Sequence, residues 1–385
     1  MEHVVKLKGK KLAGMVFLLA VVLTVGLMTG CGFRGAATIG WSGGAVAGDV
    51  VFVGANSGRL VAYNLTDNTT LRADALKPKP SNGLLSCGSL GCGGGTSVVP
   101  IYGTPVISGD SVYVAGYNGR VYAYKAANLA YRWNYPVDSY LGSFVGGAVV
   151  YNGKIFIGSA DEKVYALDTA TGSKVAEFTT KGKIWGTPAI DETTGTLFIG
   201  SYDKTLYALS TDDLSLKWSF ETKGSIISEP LVSNGVVYFG SFDKSFYALN
   251  IADGSLKWKF SAQNWFWAKP QLFDGKLYVA CLDHFVYVLD PVTGTAVHDA
   301  YNLGNPVSAA PAIVGNLIIF TTREGAMYKI DSSTMTMTPV IDLLTTIDGP
   351  LMAYKGIIYV HPQAALMILI DPVSGNKVGT ISLES

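Results

Sequence analysis

GSFDKSFYALNIADGSLKWKF occupies residues 240–260, and forty positions earlier residues 200–220 read GSYDKTLYALSTDDLSLKWSF. Near-identity at a fixed distance marks a structural unit that recurs. Working outward, residues 230–260 divide into four short pieces, PLVSN, VVYFGS, FYALN and SLKWKF. Their apolar/polar alternation and their Tyr, Val and Phe content fit β-strands. Phe242-Asp243-Lys244 and Ala252-Asp253-Gly254 lie between them and fit hairpin turns, where Asp and Gly tolerate the backbone required.

Aligning the second letter of each VYAL-type run gives eight copies, at Val61, Tyr122, Tyr165, Tyr207, Tyr247, Tyr287, Tyr328 and Ile368. The intervals are 61, 43, 42, 40, 40, 41 and 40, and the excess in the first is a Cys-bearing insertion, residues 77–99. A four-stranded antiparallel unit cannot cover both its faces alone. Stacking eight radially buries every face and leaves few open edges. The expectation is therefore an all-β chain without helices, an eight-bladed β-propeller of four-stranded antiparallel blades over residues 42–385. Whether blade 8 is complete by itself, or residues 36–41 add an edge strand, stays open.

The 385 residues carry 29 basic and 29 acidic side chains, with 45 Gly and 21 Tyr. No Lys/Arg cluster is present to neutralise phosphates, which argues against a nucleic-acid partner. At the N-terminus Lys6, Lys8, Lys10 and Lys11 precede an uncharged apolar run, residues 12–28, followed by Thr29-Gly30-Cys31. This resembles a bacterial lipoprotein signal, with Met28 where Leu is usual. Residues 1–30 are then a signal peptide, Cys31 carries the lipid (palmitate), and residues 31–41 are a short tether. The alternative is an uncleaved membrane anchor, and both place the remainder outside the cytoplasm. In an oxidising compartment Cys87 and Cys92 are expected to form a disulfide, and Cys281 in YVACLD to be a buried free thiol.

VYALDTATG at residues 164–172, VYVLDPVTG at 286–294 and LIDPVSG at 369–375 resemble the PQQ-like (quinoprotein alcohol dehydrogenase-like) repeat. The resemblance covers nearly all of the chain after the signal. It implies a propeller in which Trp133, Trp218 and Trp258, at one offset on the last strand, dock between adjacent blades. A propeller behind a lipid attachment signal resembles most the outer-membrane protein assembly factor B family. That likeness implies a periplasmic lipoprotein held to the membrane by its lipid, with an envelope protein complex, the barrel-assembly machinery, as partner. No interaction motif transfers residue by residue.

An active quinoprotein would hold its quinone between a Trp and a disulfide of adjacent cysteines, beside calcium and a catalytic Asp. Here four residues separate Cys87 from Cys92, so no cofactor and no catalytic residue are expected. His284, His298 and His361 show neither zinc spacing nor a nucleophile elbow, and are expected in surface loops, with no metal. The informative positions are those where the copies differ. Aligning on Pro105, Pro188, Pro230, Pro270, Pro311 and Pro350 gives a channel-mouth column three residues earlier: Trp41, Tyr102, Val145, Trp185, Ile227, Trp267, Ser308, Ile347. NWFWAKP adds Trp265 and Phe266, while Glu229 and Lys269 stand just before their prolines. One reading is an aromatic-rimmed pocket for a peptide strand, a sugar or an apolar ligand. The other is that the rings plug the channel and Glu229 pairs with Lys269 as a structural bridge. The function expected is a non-enzymatic, membrane-tethered interaction scaffold. A small-molecule or glycan module at the mouth is the alternative, and a PQQ-dependent dehydrogenase has the least support.

Overall fold

Each of the eight copies folds as one four-stranded antiparallel sheet, with strands A to D in chain order. The computed structural model describes residues 42–79 and 98–384, so Cys31, Trp41, Cys87 and Cys92 lie outside the described residues. A strands of successive sheets neighbour one another around the axis, as Ala189–Asp191 does Leu231–Ser233, and D strands face outward. The blades span residues 44–72, 106–135, 149–179, 189–221, 231–261, 271–302, 312–342 and 352–382. This is the eight-bladed β-propeller expected, without helices among the described residues. Blades 1 and 8 each take four strands from contiguous sequence, so no strand among the described residues is exchanged to close the ring.

The physical roles of the repeated letters are visible in blade 5. Gly240 ends strand B where a Cβ would lie 2.3 Å from that of Phe266, so only hydrogen fits. Asp243 Oδ2 accepts from Tyr247 Oη at 2.6 Å and from the Lys223 amide at 3.1 Å, tying the B–C turn to the chain arriving from blade 4. The same bonds recur at Asp161–Tyr165, Asp203–Tyr207 and Asp283–Tyr287. They join the incoming chain at Gly142, Lys181 and Gln263. A register shift between Ala248 and Leu249 adds twist to the outer pair. In the TG turns Asp168 Oδ1 accepts from the amides of Ala170 and Thr171. These bonds, with the Thr171 hydroxyl first, hold its carboxyl below the usual range.

The core consists of apolar clusters between neighbouring blades rather than one central mass. The joint of blades 8 and 1 is packed by Val51, Val53, Tyr359, Met367, Ile381 and Leu383, which closes the ring without a covalent link. On the outer side most joints are also bridged by a donor reaching the next blade's turn. Trp133, Trp218 and Trp258 donate Nε1 to the carbonyls of Thr169, Ile251 and Pro291 at 3.1, 2.8 and 3.0 Å. Their rings lie on Gly172, Gly254 and Gly294, where a Cβ would meet them at 2.4 to 2.6 Å. Blade 3 has Ala176 at this offset and blade 4 answers with buried Leu214 in place of the glycine; Lys154 Nζ makes the bridging bonds, to the Thr211 and Asp212 carbonyls. From blade 7 Lys329 reaches Pro372 and Val373 in the same way. From blade 8 Tyr354 and Lys355 reach Gly48 and Asp49. The joint of blades 1 and 2 differs: residues 73–77 cross it and Asn118 Nδ2 holds the Lys77 carbonyl at 2.7 Å.

Candidate functional site

Strands alternate in direction, so the loop entering each A strand and the B–C turn emerge on the same face. Backbone bonds fasten the two: Tyr202 N to Lys183 O and Phe242 N to Ser225 O, both 2.9 Å, and Arg323 N to Pro306 O at 2.8 Å. This face therefore carries two concentric columns of side chains on rigid supports. The entering loops place Tyr102, Val145, Trp185, Trp267 and Ser308 there, with Ile227 buried beneath, and the turns add Tyr117, Ala160, Tyr202, Phe242 and Arg323, with Leu282 buried. Sequence reading missed the turn column. Its signal was the variable letter between GS and DK in GSYDK and GSFDK.

The aromatic members pack in pairs across the columns. Tyr102 and Tyr117 meet edge to face at 5.3 Å, and Trp185 and Tyr202 at 4.8 Å. Phe242 stacks on Trp265 at 4.2 Å and lies 5.7 Å from Trp267. All seven rings are half-buried, leaving surface to a partner while their orientation is held. Burial, helped by Tyr117, pushes the Tyr102 phenol up to about 12, and burial alone also raises Tyr202; both are neutral donors. Glu229 and Lys269 form an ion pair between blades 5 and 6. Two blades further round, Arg323 Nε donates to Asp348 Oδ1 at 2.9 Å, and Gln363 Nε2 donates to Oδ2 at 2.7 Å.

Three expectations are corrected. Phe266 is not on the rim: it is 1 % exposed, an edge contact of Phe246, and fills the space above Gly240. Ile184 and Ile226 do the same above Gly158 and Gly200. Adjacent loop residues point to opposite sides, so Trp267 reaches the surface and Phe266 the core. Ile347 is also in the core, at 0 % exposed. Met352 pairs with Tyr359 as Ala312 pairs with Ile319, so Leu351 takes the place of Pro311 and Asp348 the mouth position. Pro350 sits one residue early, and strand pairing rather than proline sets the register. His361 is no surface histidine either; it is 2 % exposed with Nδ1 2.9 Å from Ser42 O, and burial lowers its pKa so that it stays neutral.

Cys281 is buried, its Sγ near the carbonyls of Asn264 and Trp265, and burial pushes its thiol well up. Among the described residues no three His, Cys, Asp or Glu side chains come together as a metal-holding group. The chain has no adjacent cysteines. These residues do not fit a quinone sandwich with its calcium.

A family model described as outer membrane protein assembly factor BamB matches residues 34–177, 141–225 and 160–378. The fold is shared with the computationally designed Ika8 protein, at a TM-score of 0.68 and 14 % identity over 86 % of this chain and 95 % of that one. BamB from Moraxella catarrhalis is similar at a TM-score of 0.66 and 15 % identity, over 88 % of this chain and 95 % of that one. At such identities the likeness to these structures concerns fold alone. No curated protein matches the sequence.

Proposed function

The chain belongs to the family of the outer membrane protein assembly factor BamB, and we propose that it is a non-enzymatic scaffold of the cell envelope. In this reading Cys31 carries the lipid that tethers the propeller outside the cytoplasm, and the partner is a protein complex such as the barrel-assembly machinery. The observation that carries the reading is the arc of Trp185, Tyr202, Phe242, Trp265 and Trp267. These are large rings at fixed positions on one face, beside the Glu229–Lys269 pair. Aromatic anchors of this kind dominate protein interfaces, each contributing about 2 kcal/mol or more when central.

Pull-down from crosslinked envelopes tests it. The wild-type chain should bring down a stable protein partner, and Trp185→Ala with Trp267→Ala should lower the yield more than tenfold while the fold is kept. Equal recovery with the double variant, or no partner with the wild type, overturns the proposal. The tether is tested separately: mass spectrometry of the membrane-extracted protein should show a chain that begins at Cys31 and carries acyl groups there, and an unacylated Cys31 would refute lipidation.

A further inference from the structure

The joint of blades 1 and 2 holds a cavity of about 380 Å³, lined among others by Asp74, Lys77, Arg120, Tyr122, Tyr124 and Tyr131. This joint, like that of blades 3 and 4, has no docking tryptophan. Leu71 pairs with Ala62 where Trp133 pairs with Ala123, yet Leu71 is 42 % exposed and does not fill the joint. Residues 73–77 cross above instead, with Leu76 buried.

Tyr124 is the unexplained residue. Blades 3 to 6 have leucine at its place (Leu167, Leu209, Leu249 and Leu289), and blades 7 and 8 have isoleucine. Tyr63 of blade 1 also carries a phenol there, but gives its proton to Asn68 Oδ1 at 2.7 Å. Tyr124 is 5 % exposed, and its hydroxyl makes no hydrogen bond among the described residues. Its ring meets Tyr131 edge to face at 6.3 Å, and its hydroxyl reaches solvent in the cavity, where a ligand can take its proton. Nearby, Tyr122 Oη accepts from Asn118 Nδ2 at 2.7 Å and keeps its own proton to donate. Arg120 spends Nε on Ser139 O and stacks 4.0 Å over the Tyr140 ring, which fixes its guanidinium at the edge of the cavity. The carboxylate of Asp74 and the ammonium of Lys77 make no ion pair among the described residues. Beside them the Tyr131 ring is 59 % exposed, steadied by its bond to Asn134 Oδ1.

We propose that this cavity binds a pyranose sugar. A pyranose has an apolar C–H face and a rim of hydroxyls that both donate and accept. Tyr131 supplies the flat face, Tyr124 and Arg120 supply donors, and Asp74 supplies an acceptor. An apolar ligand would leave Tyr124, Arg120 and Asp74 without partners. The volume stands at the small end of ligand pockets, the size of one or two sugar rings.

The test is isothermal titration of the full chain with glucose, N-acetylglucosamine and maltose. Binding with a dissociation constant on the order of 1 mM, the affinity expected of so small a ligand, supports the proposal. Tyr131→Ala, at the surface, and Tyr124→Phe, which keeps the ring, should each weaken binding about tenfold, while Trp267→Ala at the mouth leaves it unchanged. Loss of binding in Trp267→Ala places the sugar elsewhere and overturns the assignment. So does an absence of binding, or binding only after residues 80–97 are shortened, which would make the chain itself the occupant. If Tyr124→Phe raises stability and binds sugar as before, the hydroxyl serves cavity water only and the proposal fails. None of these outcomes bears on the envelope partner, which is read by pull-down.

Discussion

Exchanging one blade joint for another tests whether turn residue and docking residue were matched across the interface. Trp133 is 8 % exposed and its ring lies where a Cβ on Gly172 would come within 2.4 Å. The next joint has Ala176 at the tryptophan's place and Leu214, 1 % exposed at a φ of 61°, at the glycine's. Trp133→Ala removes a buried ring and its bond to Thr169 O, and should cost about 3 to 5 kcal/mol. Gly172→Leu forces a side chain into that ring, and leucine at the positive φ of 71° adds about 1 to 2 kcal/mol of backbone strain. In the double variant the new leucine occupies the space the ring vacated and regains about 1.5 to 3 kcal/mol of burial. The summed loss should therefore exceed the double-variant loss by about 2 kcal/mol, a coupling of the size seen for residues in contact. Urea unfolding followed by tryptophan fluorescence and circular dichroism measures all four corners of the cycle. Additive losses, to within about 0.5 kcal/mol, would refute the matching.

The Asp49 carboxyl is held at about 2, below 3.8, chiefly by Lys355 and then by Tyr354 and Thr66. Its folded pKa is depressed, so the stability it lends the closing joint is full above 3.8 and is lost as pH falls toward 2; Asp49→Asn should flatten this acid limb of a pH–unfolding curve. Tyr207 is raised from 10.0 to about 12 by burial and then by Asp203, the opposite sign. Its contribution is full below 10 and lost as pH climbs through 12, and Tyr207→Phe should weaken that alkaline dependence in the same assay. Phe266→Ala should lower stability by about 3 to 5 kcal/mol and Trp267→Ala by less than half as much, measured by denaturant titration, because only Phe266 is enclosed. Denaturing the lipidated chain without reductant should free one thiol per molecule, Cys281; three would refute the Cys87–Cys92 bond.

The period, the four strands, the hairpin turns and the docking tryptophans are legible because they are local. A strand declares itself by alternation within six residues, and a turn by Asp and Gly at fixed offsets. Eight such units have one economical way to bury their faces, so architecture follows from repetition. The mouth was legible only in part. Trp185, Trp267, Glu229 and Lys269 stand near where the alignment put them, but the proline mark slipped by one in blade 8 and exchanged Asp348 for Ile347. Phe266 and Trp267 are neighbours in sequence with opposite fates, and only the contact of Phe266 with Gly240, like those of Ile184 and Ile226 with their glycines, shows which ring is enclosed. The turn column, the buried His361 and the unspent hydroxyl of Tyr124 depend on residues brought together from distant positions. Ser42 meets His361 across the ring closure, and Asp74 approaches Tyr124 across a joint without a tryptophan. Within one repeat the sequence determined the blade by itself; which side chains face a ligand was decided between blades, where packing across the joint leaves a ring filled, a cavity open or a hydroxyl without a partner.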